Sequence, residues 1–149
     1  MFRSILIPTD GSRLAARGIK AGVRLARALG ARVTGVYVIF PYVPPIYGEA
    51  ALYYVPGLSP KDGKKLYEKQ AKKALDVLRA EAARARVRCS TRYVTSGQPW
   101  QAILRAARAA KCDAIVMASH GRGGLGGLIL GSETSHVLAN SKIPVLVVR

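Results

Sequence analysis

The residues best suited to binding chemistry lie in a glycine-rich segment, residues 119–132, with the sequence SHGRGGLGGLILGS. This segment follows the apolar run Ala114–Ala118 and ends where a helical pattern begins at Ser132. Glycines allow a backbone to approach a phosphate closely, and the free N–H groups at a helix start attract anions. The pattern therefore predicts either a phosphate-binding loop or a flexible turn. In the first case the Ser132 hydroxyl caps the helix or bonds a phosphate oxygen.

Two familiar phosphate-binding motifs do not account for this segment. The stretch from Gly121 to Gly126 satisfies the G-x-G-x-x-G spacing, but it follows the fourth apolar run, and no acidic residue stands about twenty positions further on to hold a ribose. The stretch from Gly126 to Ser132 resembles a P-loop, but Ser132 occupies the place of the lysine. Both assignments are rejected.

Few residues of the sequence are suited to catalysis or to metal binding. Asp10, His120 and Ser132 supply the residue types of a hydrolytic triad, but Ser132 lacks the strained strand-to-helix turn of such nucleophiles. Asp10 is interpreted instead as a ligand-bonding residue or as the cap of the first helix. His120 and His136 are the only histidines and no acidic cluster accompanies them, so no protein-ligated metal and no catalytic residue are predicted. A Mg²⁺ or Mn²⁺ ion that bridges phosphates needs few protein ligands, so the sequence leaves the binding of such an ion open.

Apolar runs of β type alternate with stretches of helical period, which is typical of a parallel sheet covered by helices. The pattern predicts one α/β domain over residues 1–149, with an open five-stranded parallel sheet and helices on both faces. The predicted strands are residues 4–7, 32–39, 87–94, 114–118 and 143–148. The predicted helices are residues 13–29, 59–85, 97–109 and 132–140, and residues 40–60 are predicted to be a surface loop. In the second helix Leu66, Leu75 and Leu78 are expected to face inward.

The charge of the chain is strongly basic, with 24 Lys and Arg against eight Asp and Glu and a net charge of +16. The first helix carries cations at intervals of three and four residues, which form one face: Arg13, Arg17, Lys20, Arg24 and Arg27. Such a face is either simply solvated or attracts polyanions. Two isolated cysteines favour a reducing cytoplasm. No apolar run reaches the ~18 residues of a membrane span.

The motifs together resemble the universal stress protein family. Its motif G-x2-G-x9-G-[S/T] is met at Gly121, Gly131 and Ser132, and it is followed by a short helix and the strand sequence IPVLVV. The opening ILIPTDGS, the segment Val36–Val38 and Gly97-x-Pro99 match further conserved features of that family. The resemblance spans the chain except for the loop at residues 40–60.

The resemblance implies a nucleotide-binding fold, a homodimer formed through the last strand, and an adenine nucleotide, ATP or AMP, at the strand ends. It implies contacts with the base and sugar from Pro8, Thr9, Asp10 and the Val38 backbone. It places Met117 and Ala118 beside the ribose. The residues that it places around the phosphates are Gly121, Arg122, Gly131, Ser132 and Thr134.

Two departures leave two functions open. Ala118 replaces the first glycine of the motif, and Glu133 sets a carboxylate beside the proposed phosphates. The first function is a nucleotide-sensing regulatory module in the stress response, with hydrolysis slow or absent and at most a weak ATPase activity. The alternative is a scaffold without nucleotide that binds nucleic acid or a partner protein through its basic surface.

Overall fold

The computed structural model describes residues 1–41, 60–119 and 130–149, without the side chains of residues 60 and 61. The elements in chain order are β1 (Ser4–Pro8), α1 (Arg13–Leu29), β2 (Arg32–Ile39), α2 (Pro60–Arg84), β3 (Cys89–Thr95), α3 (Pro99–Ala109), β4 (Ala114–Ala118), α4 (Ser132–Asn140) and β5 (Val145–Val148). Most of the predicted loop at 40–60 lies outside the described residues.

The five strands form one parallel sheet in the order β3-β2-β1-β4-β5. The register joins Leu6 of β1 to Thr34 of β2 on one side and to Ile115 of β4 on the other. The chain builds β1, β2 and β3 outward in one direction, then returns to add β4 and β5 on the opposite side of β1. The predicted fold class is confirmed.

Helices cover both faces of the sheet, because alternate strand residues point to opposite sides. On one face, Ile5 and Ile7 pack with Ile19 and Val23 of α1 and with Leu78 of α2. On the other face, the core combines residues of β1 and β4 with residues of α3 and α4: Leu6, Ile115, Ile103, Ala106 and Val137. The inner strands β1 and β4 are therefore almost wholly buried, whereas β3 and β5 at the two sides of the sheet are partly exposed.

Helix α1 lies unusually close to the sheet. Ser12 caps it by accepting a hydrogen bond from the Ala15 N–H at 3.1 Å, and Gly30 ends it with φ 64°. A β-carbon at Gly22 would lie 2.5 Å from Ile7 Cδ1, and one at Gly18 would lie 3.1 Å from the Ala118 backbone nitrogen. These two glycines, one helical turn apart, allow the helix to approach β1 and the end of β4.

The outer faces of the helices are polar. All five cations of the predicted basic face of α1 are exposed. Among the helices of the described ranges, none combines the length and apolar character needed to cross a bilayer.

Three expectations about the elements were wrong in detail. Val87 does not begin β3, because its N–H donates to Ala82 O at 2.9 Å and closes the end of α2, while Arg86 takes φ 55°. Ile143 does not begin β5, because the Ser141 hydroxyl bonds both its N–H and its carbonyl. Leu66 is 38% exposed, whereas Leu75 and Leu78 are buried as predicted.

Asp113 fixes the start of β1 against the start of β4. Its carboxylate accepts hydrogen bonds from the N–H of Arg3 at 2.8 Å and of Ser4 at 3.0 Å, and its own N–H donates to Ser4 O at 2.8 Å. Burial alone would raise the pKa of Asp113, but the backbone hydrogen bonds outweigh it and lower the pKa below its ordinary value of 3.8. The ionised form is therefore the one that the fold stabilises.

Candidate functional site

The strand order creates a crevice at the carboxyl end of the sheet, the side on which the carboxyl ends of all five strands lie. Because the chain leaves β1 toward β2 and later returns to β4 on the other side, the connections after β1 and β4 diverge. In open parallel sheets ligands bind at this switch point. The predicted residues Pro8, Thr9, Asp10, Met117 and Ala118 all lie at the ends of these two strands.

The turn after β1 is held by its own side chains. The Thr9 N–H donates to Val36 O at 2.9 Å, and its hydroxyl accepts from the Gly11 N–H at 3.2 Å. Asp10 Oδ1 accepts from the Ser12 N–H at 2.9 Å, and Gly11 takes φ 78°. Ser12, not Asp10, is therefore the cap of α1. Asp10 is only half-buried, and among the described residues nothing donates to its second carboxylate oxygen, Oδ2.

The Val38 backbone is directed into the space beyond this turn. Successive residues of a parallel strand direct their N–H and C=O groups to alternate sides. Val36 O accepts from Thr9 on the β1 side, and Ile39 O accepts from Ser96 on the β3 side. Val38 directs its backbone groups to the same side as Val36, toward β1. Because β1 ends at Pro8, opposite Val36, no residue of β1 pairs with Val38. Its amide and carbonyl thus line the crevice.

Two hydrogen bonds clasp the end of β4 to the start of α4. The Gly131 N–H donates to Ser119 O at 2.8 Å, and the buried Thr134 hydroxyl donates to Ala118 O at 3.0 Å. The clasp brings the two ends of the glycine-rich segment together. The predicted residues Gly121 and Arg122, and His120 as well, lie outside the described residues.

The amino end of α4 is capped by backbone alone. Gly131 is its N-cap, with φ −60° and ψ 147°, and in the part of the chain that the structure describes no side-chain cap hydrogen bond is made there. Ser132 is the first helical residue and is exposed. The interpretation of its hydroxyl as the helix cap was wrong, because a residue inside the first turn cannot occupy the cap position. The first-turn N–H groups are the positive end of the helix dipole.

Glu133 is engaged away from that helix end. Its carboxylate accepts a hydrogen bond from the Trp100 N–H at 2.7 Å, at the start of α3, where Gln98 supplies no side-chain cap. The rings of Trp100 and His136 lie 5.7 Å apart and reinforce the same junction. Glu133 therefore caps a neighbouring helix, and this contact ties α3 to α4.

The end of β4 presents backbone rather than side chains. Met117 is 6% exposed and packs in the core between the sheet and the helices α3 and α4. Ala118 is 8% exposed and shares the strand face of Val116, which packs against α1. The closeness of Gly18 to the Ala118 nitrogen shows how tightly α1 covers this point.

The strand ends that carry the predicted residues lie side by side in the sheet, but sequence reasoning missed three stabilising contacts. These are the Glu133–Trp100 bond, the Thr134–Ala118 bond and the Asp113 contacts with β1. The bonded residues are 33 positions apart in the first contact, 16 in the second, and 110 and 109 in the two bonds of the third. No local spacing rule connects residues so distant, although an uncapped helix start at Pro99 was a signal that a distant acceptor was required.

The fold and the crevice define a class: doubly wound α/β proteins with a ligand position at the strand switch point. Within that class, the sequence profile of the universal stress protein family matches residues 1–149. The chain belongs to the universal stress protein family.

Curated relatives agree over the whole chain. A universal stress protein of Thermus aquaticus, encoded in the QAH/OAS sulfhydrylase 3′ region, is 36% identical over 155 residues, covering 100% of both chains. Universal stress protein YxiE of Bacillus subtilis is 31% identical over 149 residues, again covering 100% of both.

Solved structures share the architecture. Universal stress protein UspA from Lactobacillus plantarum superposes with a TM-score of 0.76 at 25% identity, covering 99% of this chain and 97% of the other. A universal stress protein solved in complex with cAMP gives 0.65 at 24% identity, covering 99% and 97%. The universal stress protein from Archaeoglobus fulgidus in complex with dAMP gives 0.63 at 18% identity, covering 99% and 98%.

Proposed function

We propose that this protein binds an adenine nucleotide, ATP or AMP, at the carboxyl end of its sheet and acts as a regulatory module. The observation that carries the proposal is the clasp between β4 and α4. It holds the amino end of α4 at the switch point, opposite the turn after β1. An anion placed there meets fixed backbone N–H groups and the positive end of the helix dipole.

In this arrangement the phosphates lie at the amino end of α4, against Gly131 and Ser132. Gly121 and Arg122 complete the phosphate site by the family motif. Thr134 contributes indirectly, since its hydroxyl hydrogen is committed to Ala118 O. Mg²⁺ or Mn²⁺ would be held by the phosphates, because the described residues contain no cluster of three or more metal-ligating side chains.

The adenine and ribose occupy the space between the ends of β1, β2 and β4. The Val38 amide and carbonyl offer one donor and one acceptor to the adenine edge. Pro8, Thr9 and Asp10 border the base and sugar, and Asp10 retains an oxygen for a ribose hydroxyl. Met117 and Ala118 meet the ribose through their backbone, because both side chains are buried.

The two departures from the family motif are compatible with a bound nucleotide. The Ala118 methyl group belongs to the face of the sheet that α1 covers, so it does not project toward a ribose beyond the strand end. The Glu133 carboxylate is held at the start of α3, so it does not oppose phosphates at the start of α4. The solved relatives named with cAMP and dAMP support adenine as the base.

The test is to denature the purified protein, identify any released nucleotide by chromatography and mass, and titrate the emptied protein with ATP and AMP. Stoichiometric adenine nucleotide or micromolar affinity is expected. A protein that neither carries nor binds an adenine nucleotide would overturn the proposal. Phosphate release faster than nucleotide dissociation would instead identify an ATPase.

We also propose a homodimer formed through β5. This strand lies at one side of the sheet, where unpaired backbone groups accept a further strand, and Leu146 is 48% exposed on it. Leu146→Glu is expected to convert the dimer to a monomer in sedimentation equilibrium. Val77→Glu is the matched control, since Val77 is 49% exposed on α2 at a distance from β5. A wild-type monomer, or equal dissociation by both variants, would contradict this interface.

A further inference from the structure

The exposed face of α1 carries a regular row of cations. Arg13, Arg17, Lys20, Arg24 and Arg27 are all exposed, and α1 contains no acidic residue. At 1.5 Å per residue the row is about 21 Å long, with neighbouring cations about 4.5–6 Å apart along the axis. That spacing is similar to the distance between successive phosphates on a nucleic-acid strand.

These cations differ from those of the neighbouring helix. In α2, Arg79 pairs with Asp76 and Arg84 pairs with Glu81. No cation of the row on α1 forms an ion pair with a described residue. Unpaired cations on one face keep their full attraction for an external anion.

The row leads into a groove at the amino end of the sheet, the side opposite the proposed nucleotide. The groove has a volume of about 520 Å³ and opens at the carboxyl end of α1, where Leu29 and Gly30 line it. Three arginines line it as well: Arg3, Arg32 and Arg88. They stand at the starts of β1, β2 and β3, which are adjacent strands.

One of the groove arginines, Arg32, is held in place by hydrogen bonds within the protein. The Arg32 guanidinium donates from Nε to the Ser4 hydroxyl at 3.1 Å and from Nη2 to Ala110 O at 3.4 Å. Its charge has no carboxylate partner among the described residues. The row on α1 and the three groove arginines together comprise eight cations, which we call the basic track.

We propose that the basic track binds the phosphate backbone of nucleic acid without sequence preference. Its cations match a line of phosphates in charge and spacing, and α1 offers no aromatic side chain on which a base could stack. The residues flanking the row on α1 are Ala16, Ala21, Ala28 and the half-buried Leu14 and Leu25, of which Leu25 packs against the core. The exposed apolar side chain at the groove is Met1, a single residue at the end of the track. A helix that binds a membrane surface needs bulky apolar anchors beside its cations, so the observations favour nucleic acid over lipid.

The test measures binding of the full chain, freed of nucleic acid by nuclease and high salt, to fluorescent single-stranded DNA of about 20 nucleotides. Affinity is measured from roughly 50 to 200 mM salt. If five to seven phosphates are neutralised, the logarithm of the binding constant is expected to fall against the logarithm of salt with a slope of about −3.5 to −5.

Two triple variants with the same change in net charge separate the basic track from a general charge effect. Arg13→Gln, Arg17→Gln and Arg24→Gln together are expected to reduce the magnitude of the slope by about 2. Lys69→Gln, Lys72→Gln and Lys73→Gln, on exposed positions of α2, are expected to leave the slope nearly unchanged.

Three outcomes would overturn the proposal. The first is absence of DNA binding at the lowest salt. The second is an equal loss of slope in both triple variants, which would reduce the effect to net charge. The third is binding to vesicles of phosphatidylserine and phosphatidylcholine without binding to DNA, which would make the surface a lipid-binding one. None of these outcomes depends on the proposed nucleotide site.

Discussion

The carboxyl end of the sheet presents mainly backbone groups, whereas the amino end presents arginine side chains. The carboxyl end offers the N–H groups of α4, the Val38 amide and carbonyl, and a turn closed by Thr9 and Asp10. The amino end offers Arg3, Arg32 and Arg88 around an open groove.

This difference follows from the topology. In a parallel sheet with crossover helices, the helices run opposite to the strands, so helix amino ends meet one end of the sheet and helix carboxyl ends meet the other. Cations stabilise the negative carboxyl ends of helices, and Arg27, Arg84 and Arg108 occupy the last turns of α1, α2 and α3. Fixed amides discriminate by geometry, whereas exposed arginines attract by charge. We therefore expect a selective small anion at the carboxyl end, and an unselective polyanion along the outer face of α1 and at the amino end.

Gly131→Val is expected to have the largest effect, and it tests the carboxyl end of the sheet. The backbone of Gly131, at φ −60° and ψ 147°, suits any residue, so the fold should tolerate valine. The added side chain would stand at the amino end of α4, where the phosphates are proposed to lie. Adenine nucleotide affinity is expected to fall about 100-fold, equivalent to about 2.8 kcal/mol, in isothermal titration.

A matched glycine at the same end of the sheet controls for that substitution. Among the described residues, a β-carbon at Gly97 would meet only Pro41 Cγ, at 4.0 Å, so Gly97→Val adds the same side chain without a clash there. It should leave nucleotide affinity unchanged, and neither variant should change DNA binding by the basic track. Unchanged nucleotide affinity in Gly131→Val would place the phosphates elsewhere.

A smaller effect, on stability alone, is expected at the amino end from Asp113→Ala. The substitution removes two hydrogen bonds from backbone N–H groups to a carboxylate. Because the carboxylate is partly solvated, we expect a loss of about 1–2 kcal/mol in the free energy of unfolding, measured by urea denaturation at pH 7. Nucleotide affinity should be unaffected.

The pH dependence of that loss identifies its origin. The folded protein lowers the pKa of Asp113, so the stabilisation is fully present above the ordinary value of 3.8 and is lost as the pH falls through the lower folded pKa. The difference in unfolding free energy between wild type and Asp113→Ala should therefore stay constant near neutrality and shrink below about pH 4. A difference that persists unchanged into strong acid would show that packing, not the carboxylate, is responsible.

Much of the fold could be predicted from the sequence, because its signals are local. The period of α1, its Ser12 and Gly30 ends, and the apolar runs of β1 and β4 each determine one element within a short window. The errors at Val87 and Ile143 arose because these apolar β-type residues lie outside the strands, where hydrogen bonds hold Val87 at a helix end and Ile143 in a turn. Leu66 was misplaced because it lies beside the inward face of α2, which Tyr67, Ala71 and Leu75 form against β2.

The site was less predictable for a physical reason. The family motif indicated Gly131 and Ser132, and the resemblance of the opening ILIPTDGS indicated Pro8 to Asp10, since both signals are continuous in sequence. What Glu133 does depends on the packing of α3 beside α4, and sequence alone left its carboxylate facing either the phosphates or elsewhere. Only the three-dimensional contact with Trp100 resolves that choice.

Glu133 gives the smallest of the expected effects and links the carboxyl end of the sheet to its supporting helices. Glu133→Ala removes the acceptor that caps the start of α3, which should lower the free energy of unfolding by about 1 kcal/mol. Because the same contact holds α4 against α3, nucleotide affinity should also fall a few-fold. If the carboxylate instead opposed the phosphates, affinity would rise.

Glu133→Gln separates the hydrogen bond from the charge. Glutamine keeps an oxygen that can accept from the Trp100 N–H but carries no negative charge. If capping is the main contribution, Glu133→Gln should recover most of the stability and nucleotide affinity that Glu133→Ala loses, as measured by urea denaturation and titration. If both variants lose stability equally, the negative charge of Glu133 contributes more to stability than its ability to accept the hydrogen bond. If both bind nucleotide more tightly than wild type, the carboxylate faces the phosphates in solution and the contact with α3 does not hold it away.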